Sequence, residues 1–576
     1  MSENANDEEK LVEETTVNAE AETPTTGEDV NVDPVEAQSD GTAVSTPKKI
    51  GRFDKFFGIT KSGSTIPTEI FAGLTTFLAM CYILTVNPSQ ILQTDALKAS
   101  LWSSVFLATA LGALIGTLLM ALFAKMPLAQ APGMGLNAAL GGVIAGTTYS
   151  MSFSFGTAML MVLISGVIFL LLTVIPCGRD KKTGKLIGIR EKIFESIPEG
   201  IRAAIPAGIG LFIAFIGFQN AGIIVTNGFT QVGFVDLTNW GNQLIQWGKV
   251  TDIGEEGAWL QFLSLSGPAA KTAIVALISL FAIAILAHFK VKGAVIIGMV
   301  VGTIVAMPLG VVNWDIIAGK SDGVTWKFWE SFQNFFSMDT EKGGAFFATF
   351  HDISFPKGSA LTVIVIILSF CMIDMFDTMG TVLGCCSQVP DVLLDENKKP
   401  VNFNRIMLSD AIATCTGAML GTSTVTTFVE SSTGVAAGGK TGLTALTTSL
   451  LFLVSIFLLP LFAFIPSSAA AGALIYVGVL MMGNIKKIDF TNMRVAVPAF
   501  LAIVIMPLGY SITKGIGVGM LSYALINIIC YVVDICVYSA KKKKGALVEK
   551  PKWPVSVTMG IIAILFALYF FLPAEI

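Results

Sequence analysis

The chain has 576 residues, of which 53% are hydrophobic and 14% charged, and its mean hydropathy is +0.72. Soluble proteins carry about 25% charged residues, so this composition excludes a soluble enzyme and indicates a polytopic membrane protein. The 56 glycines suit helices that pack closely in lipid. The eight cysteines are scattered and form no CxxC pair, which favours neither a disulfide framework nor a zinc site.

The formal net charge of −4 is distributed unevenly along the chain. Residues 1–47 hold 13 acidic residues and one lysine, a net charge of −12, so the remainder carries +8. This first stretch has no apolar periodicity and too few apolar residues to form a core. The sequence therefore predicts a disordered acidic tail over residues 1–50, on the cytoplasmic side.

Apolar runs of about 20 residues, the length that crosses a bilayer, recur along the chain. We predict membrane spans near 68–92, 101–124, 156–176, 203–225, 270–288, 293–312, 359–386, 406–421, 443–465, 467–484, 493–512 and 515–538. A last apolar stretch covers about 555–573. It is left open whether this stretch crosses the membrane or lies at its surface.

Two weaker segments, 132–148 and 424–440, are short, polar and rich in Gly and Thr. Counting them, each half of the chain has seven segments, with the glycine-rich one third, on either side of a loop near 313–358. An odd number of spans inverts the second repeat. The pattern thus predicts an all-α membrane protein with about 14 transmembrane helices in two inverted seven-helix repeats, whose third and tenth helices are broken and contain short strands. In secondary transporters, such interrupted segments mark a binding site at the membrane midplane.

The distribution of basic residues predicts the orientation. Lys and Arg concentrate in cytoplasmic loops, and most of them fall on the inner side of this chain when the N-terminus is placed in the cytoplasm. Examples are Arg179, Lys290, Lys486 and Arg494.

Three acidic residues in the predicted membrane segments stand out, Asp374, Asp377 and Glu430, because acids there are costly and usually face a site or a cavity. Asp374 and Asp377 are three residues apart on one helix, so they occupy neighbouring positions of one face. Two close carboxyls in a low dielectric cannot easily both ionise, which suits a reversible proton carrier. A packing or helix-capping role is the alternative for this pair.

The two broken segments carry the other candidate residues. Glu430 follows Phe428 among small and hydroxyl residues, so a planar base could donate hydrogen bonds to the carboxylate and stack on the ring. In the first half, Asn137 offers an amide that donates and accepts, and Gly135 lets backbone approach a ligand. Simple packing is the alternative for Phe428 and for the glycine.

The stretch Gly434–Thr441 matches the P-loop pattern GxxxxGK[ST]. We reject an ATPase interpretation, because the match lies between two membrane segments and not between a buried strand and a soluble helix. His288 and His351 are far apart and unaccompanied, so the sequence predicts no metal site. It shows no catalytic triad either.

The chain resembles a known family over approximately residues 52–540. The motifs are TEIFAGLTTFLAMCYILTVNP (68–88), APGMGLNAALG (131–141), GIGLFIAFIGFQNAGII (208–224), FDTMGTVLG (376–384), GTSTVTTFVESSTGVAAGGKTGLTA (421–445) and AGALIYVGVLM (471–481). Together they are similar to the azaguanine-permease-like purine branch of the nucleobase/cation symporter family.

This resemblance implies a division into two domains. A core domain would comprise helices 1–4 and 8–11, and a gate domain would comprise helices 5–7 and 12–14. In this sequence the core would cover residues 66–197 and 359–465, and the gate 198–312 and 466–540. Residues 313–358 would form an extracellular loop, and 541–576 a basic segment followed by the last apolar stretch.

The resemblance also implies roles for individual residues. Asp377, Phe428 and Glu430 fall on substrate-binding positions of related uracil permeases, and Asp374, Gly135 and Asn137 match positions implicated in the purine branch. Two serines follow Glu430 where the nucleobase–ascorbate branch has Asn-x-Gly, and no histidine lies one turn after Asp377. Adenine, guanine or hypoxanthine is therefore expected rather than xanthine, uric acid or uracil.

The sequence thus predicts a transporter, not an enzyme, that takes up purine nucleobases by proton symport across the plasma membrane. The six residues Gly135, Asn137, Asp374, Asp377, Phe428 and Glu430 would bind substrate, and the three acids would couple proton movement. No cofactor or nucleic-acid partner is expected; the expected partners are the purine, the proton and the lipid bilayer, and a homodimer is left open. Sodium coupling and an anion transporter of the sulfate-permease architecture are the alternatives.

Overall fold

The computed structural model describes residues 52–146, 151–179, 186–189, 197–227, 231–235, 269–291, 293–317, 328–356, 358–386, 388–395, 400–543 and 549–571. The predicted acidic tail at 1–50 lies outside these residues, as does the end of the chain after 571.

The described chain is mostly helical. The first half contains α1 (Arg52–Phe57), α2 (Ile66–Met80), α3 (Ile83–Ile91), α4 (Asp95–Leu119), α5 (Met134–Ala145), α6 (Phe155–Val174), α7 (Glu199–Asn220), α8 (Ala269–His288), α9 (Ala294–Ala306), α10 (Trp314–Ile317), α11 (Phe328–Phe335) and α12 (Ala348–His351). The second half contains α13 (Ala360–Cys386), α14 (Pro390–Leu393), α15 (Phe403–Leu420), α16 (Ser431–Ala436), α17 (Gly442–Ser455), α18 (Leu459–Ala463), α19 (Ser467–Met482), α20 (Met493–Leu508), α21 (Ile512–Lys543) and α22 (Val557–Phe571).

Six short strands in the described ranges form three antiparallel pairs. They are β1 (Gln130–Pro132) with β6 (Val425–Thr427), β2 (Pro176–Arg179) with β3 (Leu186–Gly188), and β4 (Ile224–Asn227) with β5 (Gln231–Phe234). The first pair is the one that joins the two halves of the chain.

Within the described residues, nine helical segments are long and apolar enough to cross a bilayer. Shorter apolar helices include α5, α9 and α20. The helix α15 begins three residues before the predicted span 406–421, which contains Asp410. The first predicted span is two helices, α2 and α3, separated at Cys81 and Tyr82. The last apolar stretch forms α22, which packs against α21.

The helices pack in two groups. In one, α17 contacts both α2 and α4, and α15 contacts α4 and α6. In the other, α7 contacts α19 and α20, α8 contacts α9 and α19, and α20 contacts α21. Small residues allow close approach in the second group: a Cβ added at Gly478 of α19 would lie 2.5 Å from the carbonyl oxygen of Gly210 on α7.

The two glycine-rich segments singled out in the sequence are broken, as predicted. In each, a three-residue strand precedes a helix: β1 leads to α5, and β6 leads to α16. Both strands are completely buried. Non-helical backbone at membrane depth is tolerated only where other protein groups satisfy it. Here the strands pair with each other, and the Thr117 hydroxyl of α4 bonds the backbone amide and carbonyl of Gln130, at 2.9 Å each.

Candidate functional site

A cavity lies where the two broken segments meet the second helix group. Its walls come from the broken segments, from α13, and from α7 and α19 of the second group. The lining residues are Gly133, Met134, Gly135, Ile209, Ile213, Asp377, Thr381, Thr427, Phe428, Val429, Glu430, Val477 and Met481.

The strand pair β1–β6 brings the two broken segments to this cavity. Its antiparallel register places Gln130 opposite Thr427 and Pro132 opposite Val425. At one end the Gly133 amide donates to the Thr424 carbonyl at 2.9 Å, and at the other the Phe428 amide donates to the Ala129 carbonyl at 3.0 Å. The residues just after the strands, Gly133 and Phe428, are therefore held rigidly at the cavity wall.

Glu430 supplies a carboxylate with one engaged and one open oxygen. The side chain is 3% exposed. Its Oε1 accepts a hydrogen bond from the Tyr82 hydroxyl at 2.6 Å, whereas its Oε2 is buried and has no hydrogen-bond partner among the described residues. A buried acceptor without a donor costs free energy, so Oε2 is suited to receive an N–H group from a ligand.

Asp377 supplies the second carboxylate of the cavity, from the middle of α13. It is half-buried, and the Thr426 hydroxyl lies 3.5 Å from its Oδ2. A Cβ added at Gly133 would lie 2.9 Å from that hydroxyl and 3.5 Å from Asp377 Oδ2. Glycine at position 133 thus keeps the space between β6 and the carboxylate open.

Apolar groups complete the walls. Phe428 is 4% exposed and adjoins the carboxylate-bearing segment. Ile209 and Ile213 of α7 and Val477 and Met481 of α19 face it from the second helix group. A mainly apolar cavity with two acidic acceptors suits an aromatic heterocycle with N–H donors.

Of the six residues predicted from the sequence, Gly135, Asp377, Phe428 and Glu430 line this cavity. Asn137 does not: it is fully buried behind β1, where its amide accepts from the Ser423 hydroxyl and donates to the Pro132 carbonyl at 3.4 Å. Its side chain thus ties α5 to the segment that precedes β6. Direct contact of Asn137 with substrate stays a prediction.

Asp374 is also outside the cavity lining. It is fully buried, and the Thr414 hydroxyl of α15 donates to its Oδ2 at 3.0 Å. The three-residue spacing led us to expect both aspartates at one site, but the structure directs Asp374 toward α15 and Asp377 toward the cavity. If Asp374 takes part in coupling, it would do so indirectly, through its contact with Thr414 and not through contact with a ligand in the cavity.

A buried acid that the sequence analysis did not single out lies on α15. Asp410 accepts from the Thr378 hydroxyl at 2.7 Å and from the side-chain amide of Gln130 at 3.2 Å. It connects α13 and α15 to β1, as Asp374 and Thr414 connect the same helices one turn away. The rule that intramembrane acids mark function applies equally to this residue and could have identified it.

Tyr82 and Glu69 were also missed. Tyr82 is one of only eight tyrosines and sits in an apolar span, but nothing in its local sequence points to a partner 348 residues away. Glu69, at the start of the first span, receives the Lys440 and Thr441 amides at 3.0 and 3.2 Å and the Thr444 hydroxyl at 2.6 Å. It therefore fixes the N-terminus of α17.

The chain matches the model of a family described as Permease family (Xan_ur_permease) over residues 67–245 and 250–518. Among curated relatives, it is 36% identical over 482 residues to the guanine/hypoxanthine permease PbuG of Bacillus subtilis, covering 82% of this chain and 93% of that protein. It is 34% identical over 478 residues to the adenine permease AdeP of Escherichia coli, covering 83% of this chain and 91% of that protein.

Among solved structures, the transmembrane domain of the cyanobacterial bicarbonate transporter BicA has a TM-score of 0.50 at 15% identity. The match covers 79% of this chain and 97% of that domain. At this identity the likeness concerns the fold alone. The family match spans most of the chain, including both broken segments and every residue that lines the cavity, and it makes this chain a member of that permease family of transporters.

Proposed function

We propose that the chain takes up purine nucleobases, namely adenine, guanine or hypoxanthine, by proton symport across the plasma membrane. Relatives at 34–36% identity are named as adenine and guanine/hypoxanthine permeases. The observation that carries the proposal is the open oxygen of Glu430, a buried acceptor in a cavity that Phe428 also lines. A purine ring N–H would donate to Oε2, and its face would stack on Phe428.

Coupling in this proposal comes from the two cavity carboxylates. A charged carboxylate loses solvation when an apolar ring fills the cavity, and protonation removes that cost. Substrate and proton would then raise each other's affinity by a reciprocal free energy of about 1 to 3 kcal/mol. Asp377 and Glu430 would take part directly, and Asp374 would act through Thr414 and the strand β6.

The proposed architecture is the 14-helix inverted repeat. The helix group that includes α2, α4, α15 and α17 would be the core, and the group that includes α7, α8, α19 and α20 would be the gate. Because the cavity lies where the broken segments, which the proposal assigns to the core, meet α7 and α19 of the gate, sliding of the core against the gate would carry the purine from one face of the membrane to the other. The N-terminus would lie in the cytoplasm.

Two alternatives make different use of the same cavity. Sodium coupling would use the carboxylates as cation ligands, and the experiment below separates it from proton coupling. An anion transporter has the likeness to a bicarbonate-transporter fold in its favour. Two acidic side chains in the cavity oppose it, because each would repel an anionic substrate.

The test is uptake of radiolabelled adenine, guanine and hypoxanthine by cells that lack their own purine transport. Each uptake is measured with and without a protonophore, and with sodium replaced by potassium, with unlabelled xanthine and uracil as competitors. We expect accumulation of at least one purine that the protonophore abolishes and sodium replacement leaves unchanged. Uptake that depends on sodium would show that sodium, and not the proton, is the coupling ion. An absence of purine uptake by protein that is inserted in the membrane would refute the proposal.

A further inference from the structure

Tyr82 is positioned to control which oxygen of Glu430 is open to bind a ligand. It lies at the break between α2 and α3 and is completely buried. Its hydroxyl donates to Glu430 Oε1 at 2.6 Å and lies 3.5 Å from the Met134 sulfur. It is absent from the cavity lining, so it would act on a ligand only through Glu430.

The hydrogen bond makes the two oxygens of Glu430 unequal. Oε1 is engaged by a buried phenol, while Oε2 has no partner among the described residues. A short bond to a carboxylate is among the stronger hydrogen bonds in proteins, so it fixes the rotation of the carboxylate and occupies one of the two lone pairs of Oε1, which makes Oε1 the weaker acceptor for a ligand. The ligand therefore meets one open oxygen in a fixed direction.

Purine bases differ in the donors that they present to a carboxylate. Hypoxanthine offers the single N1–H on its pyrimidine edge. Guanine offers N1–H and the neighbouring 2-amino group, a pair of parallel donors that matches the two oxygens of a carboxylate, as a guanidinium group does. The number of Glu430 oxygens that are open to a ligand thus affects the relative affinity of the site for guanine and hypoxanthine.

We propose that Tyr82 is a specificity-determining residue that restricts Glu430 to one open oxygen, so that the site gives no advantage to the second donor of guanine over hypoxanthine. The inference rests on the proposed purine transport and concerns the same cavity. Tyr82 acts here as a positioning residue.

The unmodified protein provides a first test that needs no variant. Inhibition constants of unlabelled hypoxanthine and guanine are measured against uptake of a labelled purine that the chain transports. We expect guanine to inhibit no more strongly than hypoxanthine. Inhibition by guanine that is tenfold or more stronger than inhibition by hypoxanthine would overturn the inference.

The second test is the variant Tyr82→Phe, which keeps the ring and removes the donor. Both oxygens of Glu430 then face the ligand, and guanine gains a bond that hypoxanthine cannot make. We expect the ratio of the hypoxanthine to the guanine inhibition constant to rise roughly tenfold, the effect of one additional hydrogen bond to a charged group. The matched control is Tyr523→Phe on α21, a buried tyrosine outside the cavity, which should leave the ratio unchanged.

A merely structural role for Tyr82 has a different signature. It would weaken both bases alike or lower the amount of protein in the membrane without changing the ratio. A ratio within twofold of the wild type in Tyr82→Phe would overturn the inference while leaving purine transport intact. If the wild type accumulates no purine, the proposed function itself fails, so the two failures are distinguishable.

Discussion

Asp377 and Glu430 face one cavity although 53 positions separate them in the sequence. Their surroundings differ: Glu430 accepts a hydrogen bond from a buried tyrosine, whereas the hydrogen bond of Asp377 within the described part of the chain is a long one, 3.5 Å from the Thr426 hydroxyl. The less constrained carboxylate is the better candidate for exchanging a proton during each transport cycle, because its hydrogen bonds are the easier to rearrange.

The variant Asp377→Asn should therefore abolish accumulation of purine against a gradient, since asparagine cannot carry the proton. The measurement is uptake with and without a protonophore, normalised to the protein present in the membrane. Asp534→Asn is the matched control, because Asp534 pairs with Arg494 at 2.9 Å on half-exposed helix surfaces away from the cavity. Full protonophore-sensitive uptake by Asp377→Asn would remove this residue from the coupling mechanism.

Gly135 lines the cavity and also touches the second helix group. A Cβ added there would lie 3.0 Å from Ile512 Cδ1 and 3.2 Å from Ile209 Cγ2, closer than most real Cβ contacts. Gly135→Ala should reduce the transport rate, because the methyl group obstructs sliding between the groups. Ile512→Val in the same chain removes Cδ1 and should restore most of the rate.

The comparison variant is Gly560→Ala on α22, where an added Cβ meets nothing within 4 Å. It should transport at the wild-type rate. If Ile512→Val gives no rescue, the defect of Gly135→Ala lies in contact with the ligand and not in packing between the groups.

At the scale of elements, the turn between α16 and α17 shows how a motif can mislead. Gly434–Thr441 has the letters of a phosphate-binding loop, but two of its backbone amides donate to the Glu69 carboxylate. The negative charge at the N-terminus of α17 is therefore supplied by the Glu69 side chain of α2, which links α2 to α17.

Glu69→Gln should lower the unfolding temperature of the purified protein, because the amide cannot accept at both oxygens and loses its charge at the helix terminus. A lost hydrogen bond to a charged group costs about 1.5 to 3 kcal/mol. Thermal unfolding in detergent measures the change, with Glu199→Gln as the control because Glu199 is an exposed acid in the first turn of α7. Equal unfolding temperatures for the two variants would contradict the capping role.

The segments that form the site were largely predictable from the sequence, but the side-chain contacts between those segments were not. Hydropathy, glycine content and intramembrane acids identified the two broken segments and four of the residues that line the cavity. The direction of Asp374, the contact of Asn137 with Ser423 and the Tyr82–Glu430 bond depend on which helices pack together. Such contacts arise between residues tens to hundreds of positions apart, so local periodicity carries no information on them.

At the scale of the whole molecule, the inverted repeat predicts on which side of the membrane each loop lies. The segment around Met338 should be extracellular, and the turn around Asp489 should be cytoplasmic beside Lys486 and Lys487. Both positions are exposed in the structure.

Single cysteines at these positions, Met338→Cys and Asp489→Cys in a chain without its native cysteines, test the orientation. A membrane-impermeant maleimide should label the first in intact cells and the second only after the cells are opened. Labelling of both in intact cells, or the reverse order, would rule out the predicted topology. Wild-type uptake by each variant is the control for correct insertion.

The pairing of β1 with β6 has a consequence for biosynthesis. Gln130 and Thr427 are 297 positions apart, so at 5 to 20 residues per second roughly 15 to 60 s pass between the synthesis of the two strands. During that interval β1 has no strand partner, although unpaired backbone is costly within the bilayer. The nascent protein therefore passes through a vulnerable period in which chaperones or water at the insertion site must protect β1, and a chain that stops before residue 425 offers cellular quality control an unpaired strand to recognise.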